Sequence, residues 1–222
     1  MKKLRELLLK YVMGNLGNVF EASDKVICTV DNSLLNGMDT ITLNVLDNQK
    51  TKLIDKYFKS KEFYYIIDGH NFDKEIIIYG YNNCKVLINN CQFNKYAHIT
   101  IDGDCHIENT YMTPDKLFLT ISATNTELID TFISKKSSSE GLNLCIKGTN
   151  NLRIINSQLG RKDDGIKVSL YAGNDISLQN ASILSSDAVM EASSINADEK
   201  TSIKSNKIYA KVNEPEMKRE LR

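Results

Sequence analysis

The chain has 222 residues, 41% of them hydrophobic, with 28 basic and 28 acidic side chains and no formal net charge. That apolar fraction is ample for a packed core and excludes a disordered chain. The balanced charge gives no sign of a nucleic-acid or membrane partner.

In chain order, residues 1–20 open with MKKLRELLLKYVM, in which Leu4, Leu7, Leu8, Tyr11 and Val12 recur at helical spacing against Lys and Arg. An amphipathic helix ended by Gly14 and Gly17 is expected, covering the apolar end of the domain that follows. The apolar run Leu7-Leu8-Leu9 is short and flanked by Arg5, Glu6 and Lys10. It suits neither a signal-peptide core nor a membrane span, so the chain as written is expected to stay in the cytoplasm. The five cysteines, Cys28, Cys84, Cys91, Cys105 and Cys145, contain no CxxC pair and lie in apolar stretches. They read as reduced, buried side chains rather than zinc ligands.

From Lys25 the periodicity becomes that of strands. Val26, Cys28 and Val30 alternate with polar residues, as do Ile41, Leu43 and Val45, and later Leu142, Leu144 and Ile146. A second pattern, apolar-x-Asn-x-x-apolar, is laid over these strands. It appears as Ile88/Asn90/Phe93, Ile107/Asn109/Met112, Leu128/Asp130/Ile133, Ile154/Asn156/Leu159, Leu178/Asn180/Ile183 and Ile203/Ser205/Ile208, at steps of 19, 21, 26, 24 and 25. Earlier matches are Val30/Asn32/Leu35, Leu53/Asp55/Phe58 and a degenerate Ile67/Gly69/Phe72, with the coil assignment of 53–88 left open between a shortened coil and an insertion. A period of this size without intervening helices predicts a single solenoid domain. Its class is all-β: a single-stranded parallel β-helix over residues 21–212, with seven or eight coils and a charged tail at 213–222. The Asn position reads as a corner, because Asn tolerates the left-handed backbone a sharp bend needs, and stacked corners predict a row of bonded amides.

The coil period, the Asn corner and the turn Asp163-Asp164-Gly165-Ile166 resemble the right-handed parallel β-helix superfamily typified by pectate lyases, polygalacturonases and phage tailspikes. The resemblance spans residues 26–212. It implies the right-handed fold, one that carries lyases, hydrolases, epimerases, adhesins and inert structural rods, and it extends the localisation to a phage or virion component. The paired Asp before Gly-Ile is similar to that of polygalacturonases. The chain lacks their third Asp in an Asn-x-Asp setting, their Gly-His-Gly and their Arg-x-Lys after the paired acids.

Candidate chemistry centres on acids preceding successive opening strands: Glu140, Asp164 and Asp187, with Asp163 beside them. Stacking is expected to bring them to the spacing of glycosidase acid/base pairs, with Arg161 and Lys162 holding an acidic sugar. Tyr64 and Tyr65, in the aromatic cluster Tyr57, Phe58, Phe63, Tyr64 and Tyr65, offer stacking faces for a sugar or a protein. The group His98, Asp102, Asp104 and His106 reads as solvated corners around Gly103, so neither a metal nor a cofactor is expected. The preferred expectation is a non-catalytic binding or structural module for a polysaccharide or protein partner. The alternatives are a carbohydrate-active enzyme using the carboxylate row and a solenoid that assembles with copies of itself.

Overall fold

The computed structural model describes residues 2–115, 118–136, 141–161 and 165–213. The chain forms a parallel β-solenoid of about seven turns, with 59% of the described residues in strands and 12% in helices. Helix α1 (Lys2–Met13) leads into β1 (Gly17–Glu21) and β2 (Lys25–Val30), which pair antiparallel. There follow α2 (Asn32–Leu35), β3 (Thr40–Leu43), α3 (Asn48–Tyr57), β4 (Glu62–Asp68) and β5 (Asn71–Phe72). The regular coils comprise β6 (Ile76–Asn89), β7 (Gln92–Phe93), β8 (Ala97–Glu108), β9 (Tyr111–Met112), β10 (Phe118–Ile129), β11 (Phe132–Ile133), β12 (Asn143–Ile155) and β13 (Gln158–Leu159). The stack continues with β14 (Lys167–Ala172), β15 (Asp175–Gln179), β16 (Ser182–Ala192), β17 (Ser194–Ala197) and β18 (Ser202–Val212).

Each coil has three sides. A long strand such as β8 or β10 bends midway at a register shift and contributes two of them, and the two-residue strands form the third. Strict alternation drives this arrangement: in β8, Ala97, Ile99, Ile101, Cys105 and Ile107 are buried while His98, Thr100, Asp104 and His106 face outward. Each fully buried Ile or Leu contributes about 2 kcal/mol, and register shifts by one residue would expose the whole set. The bend in β8 is at Gly103, φ +140°, where a Cβ would fall 1.9 Å from the Cys84 carbonyl oxygen. The coils pass so close there that a side chain has no room.

The opposite corner is the repeating left-handed residue. Asn90, Asn109, Asp130, Asn156 and Asn180 have φ of 51°, 46°, 48°, 49° and 49°, and Gly69 has 66°. The degenerate match at Ile67/Gly69/Phe72 is therefore a genuine corner, and glycine serves because it enters this region without strain. Three other matches are corrected. Asp55 lies within α3, which occupies part of the 53–88 interval, and Asn32 opens α2. Ser205 lies inside β18, where Ile203 pairs with Ile183 and so holds the apolar position three residues after a corner. The amide row is also partial. Asn180 Nδ2 donates to Asn156 Oδ1 at 3.0 Å, but Asn109 reaches Asn89 one residue before the corner. A second short ladder, Asn151 to Asn125 to Asp104, runs at the bend within the long strands.

The residue after each corner points inward and is small or hydroxylated: Cys91, Thr110, Thr131, Ser157 and Ala181 are all buried. Their hydroxyls accept from backbone N–H groups of the adjoining coil, Thr110 from Cys91 at 3.3 Å and Ser157 from Thr131 at 3.0 Å. They also donate to nearby carbonyls, so the turn's buried peptide groups are satisfied.

Helix α1 covers the first coil with Leu9, Val12 and Met13, and leaves Leu4, Leu7 and Tyr11 exposed. The helix has two apolar stripes, and beside the docked one Arg5 and Glu21 form a fork, Nε–Oε2 2.6 Å and Nη2–Oε1 2.7 Å. Lys61 adds a second cation to Glu21 at 3.2 Å.

Candidate functional site

The solvent side of the third ladder carries a continuous row. Register pairs Asn71 with Gln92, Gln92 with Tyr111, Tyr111 with Phe132 and Phe132 with Gln158, then Ser182 and Ser202. These are the residues two places after each corner. Inward neighbours Phe72, Phe93, Met112, Ile133, Leu159 and Ile183 anchor them. Adjacent rungs stand about 4.8 Å apart, so the row runs about 30 Å along the stack.

Tyr111 is 59% exposed and its ring centroid lies 5.9 Å from that of Phe132. The Arg161 guanidinium sits 4.9 Å from the centre of the Phe132 ring, which holds the cation by its attraction to the ring face. At the other end, Asn94 Nδ2 donates to Asn71 Oδ1 at 2.9 Å and to Asp73 Oδ1 at 2.7 Å, and Gln92 Nε2 donates to Asn94 Oδ1 at 2.8 Å. The ladder is thus an aromatic step set among amides, with one guanidinium beside it. Such a surface can stack on the apolar face of a ring and exchange hydrogen bonds with hydroxyls.

Of the residues singled out from the sequence, Arg161 joins this row. Glu140, Lys162, Asp163 and Asp164 lie outside the described residues. Asp187 does not occupy the position expected of it: it pairs with Lys167 inside the first ladder, and Ser186 pairs its N–H with the Ile166 carbonyl. It therefore stands level with Lys167, three residues after Asp164 in sequence, because β16 runs from the third ladder into the first as one strand whereas residues 160–166 separate β13 from β14. The Asp187 carboxylate instead accepts from the Ser186 hydroxyl at 3.2 Å.

Tyr65 is fully buried, its hydroxyl accepting from Asn44 N–H at 3.1 Å and donating to the Met13 carbonyl at 3.3 Å. Burial pushes its phenol pKa upward, and the ring is core rather than a stacking face. Tyr64 faces outward, but Lys25 and Lys85 lie 4.9 and 5.5 Å from its ring centre and its hydroxyl donates to Glu62. The cluster His98, Asp102, Asp104 and His106 is dispersed. His98 meets Thr100, Asp104 meets Lys85 and Asn125, and His106 meets Glu127, which also holds Arg153. Among the described residues no three His, Cys, Asp or Glu side chains converge as a metal site would require. Burial raises the Cys28 thiol to about 11 and the Cys84 thiol to about 12, so neither is a ready nucleophile.

The row Gln92, Tyr111, Phe132 and Gln158 went unnoticed in the sequence, although its signal was there. The two unspecified positions that follow the Asn of the corner template are one inward and one outward residue, and the outward column holds the aromatics. Compared with protein-family models, curated proteins and solved structures, the chain matches none.

Proposed function

We propose that this solenoid is a non-catalytic module that binds a polysaccharide lengthwise along the third ladder. The observation that carries the reading is the outward-facing column Asn71, Gln92, Tyr111, Phe132 and Gln158, in register over five coils, with Asn71, Gln92 and Tyr111 exposed and Phe132 and Gln158 half-buried. A column with repeats about 4.8 Å apart suits a repeating ligand. Tyr111 supplies an open apolar ring, the amides exchange hydrogen bonds with hydroxyls, and Arg161 favours a sugar carrying a carboxylate or sulfate. Less support goes to an enzyme using successive carboxylates, since Asp187 stands opposite Lys167 rather than in the position equivalent to Asp164.

A glycan array probed with the full chain, followed by titration of the best ligand, tests this. Tyr111→Ala is expected to weaken binding about tenfold, as loss of one stacked ring does, while Tyr64→Ala on a different face leaves it unchanged. An array without binding, or Tyr111→Ala binding like the unaltered chain, removes the reading. Appearance of new chain ends during incubation would return it to catalysis.

A further inference from the structure

The two ends of the stack differ. At the first coil α1 and the β1–β2 pair lie over the core. At the other, β18 is hydrogen-bonded to β16 alone among the described residues. It exposes an 11-residue edge whose outward-directed peptide groups form a template for another strand. Core positions continue onto this rung. Ile208, Ala210 and Val212 stack on Ala188, Met190 and Ala192, and Ile208 and Val212 are 53% and 59% exposed.

Charge identifies what fits there. Within the stack the outward column through Lys167, Asp187 and Lys207 alternates in sign. Next to it, Lys211 stacks on Glu191 with Nζ 2.8 Å from Oε1. On β18 itself the charged residues are Lys204, Lys207 and Lys211, with no acid. A two-fold contact between copies centred on Tyr209 would oppose Lys207 to Lys211, and like charges directly opposite destabilise a strand pair. Head-to-tail stacking would bring the same lysines to α1, whose one acid, Glu6, already lies 4.0 Å from Lys10, while the nearby Glu21 is held by Arg5 and Lys61. We infer that β18 is a docking edge for a β-strand of another protein, one with apolar residues facing the core and carboxylates at the positions above Lys207 and Lys211.

The pattern required is that of β16, so a labelled peptide of sequence SILSSDAVMEA, that of Ser182–Ala192, serves as the probe. Fluorescence anisotropy with the full chain should show saturable binding in the order acidic peptide, then Asn/Gln-substituted, then Lys-substituted. A five- to tenfold separation between the extremes is expected from two cross-strand charge pairs changing sign, and added salt should shrink it. Lys207→Glu should reduce this preference. The peptide series is read on the unaltered protein, so it decides the matter even if that variant does not fold. Four results would overturn the inference: no saturable binding, equal binding of the three peptides, binding only after removal of residues 214–222, or a concentration-dependent dimer in light scattering that the acidic peptide dissociates. The third result would make the chain's own tail the occupant, and the fourth a second copy.

Discussion

Replacing Asn156 by Ala and by Gly separates the two roles of the corner residue. Asn156 has φ 49°, its N–H donates to the Gln179 carbonyl at 2.9 Å, and its exposed Oδ1 accepts from Asn180 Nδ2 at 3.0 Å. An Ala forced into the left-handed region costs about 1–2 kcal/mol, and loss of an exposed amide bond adds about 0.5 kcal/mol. Gly loses the same bond and about 0.5 kcal/mol through the greater freedom of its unfolded chain, but pays nothing for the positive φ. Ala should therefore destabilise by about 2 kcal/mol and Gly by about 1 kcal/mol. Urea unfolding followed by circular dichroism reads this as a lower midpoint at unchanged slope. Ser205→Ala, at a position inside β18, should stay within about 0.5 kcal/mol. If Gly is as damaging as Ala, side-chain bonds hold the corner and the backbone argument is wrong.

Thr110→Val keeps the shape of a fully buried side chain but leaves the Cys91 N–H without its acceptor. It should cost about 1–3 kcal/mol, and Thr110→Ser, which keeps the oxygen, should recover most of that in thermal unfolding. The hydrogen bonds from Arg5 are the largest cause holding the Glu21 carboxyl at about 2, against an ordinary 4.5. A depressed folded-state value stabilises above pH 4.5, and that contribution is lost as the pH falls from there through about 2. Glu21→Gln should flatten the stability profile across that window; an unchanged acid limb would show that the fork does not anchor α1.

The solenoid and its corners were legible because each corner imposes one backbone demand that few residue types meet. Asn90, Asn109, Asp130, Asn156 and Asn180 all meet it in the structure. The template failed where spacing alone was followed. Ser205 matched by letters while β16 and β18 pair in another register, and Asp55 fell in a helix whose N-cap is Asp47. Asp187 misled for the same reason, since β16 passes from the third ladder into the first without a break and the sequence does not mark that continuity. The candidate site was hidden in positions the template treated as arbitrary. Tyr64 and Tyr65 drew notice by density, although alternation sends one inward and the other outward, whereas Tyr111 and Phe132 lie a coil apart and meet only when the coils stack.

The unequal steps between corners have a location. Between the third ladder and the next long strand the chain spends residues 73–75 and 94–96, but 113–117, 134–142 and 160–166 in later coils. Most of the added length thus falls at one vertex, bordering the Tyr111 and Phe132 rungs, while the bend within the long strands shifts register by only one or two residues. The solenoid separates gauge from length: its walls stack at a fixed spacing, and residues added at that vertex can reshape the rim beside the Tyr111–Phe132 row. A loop library placed between Ile133 and Asn143 would exploit that separation.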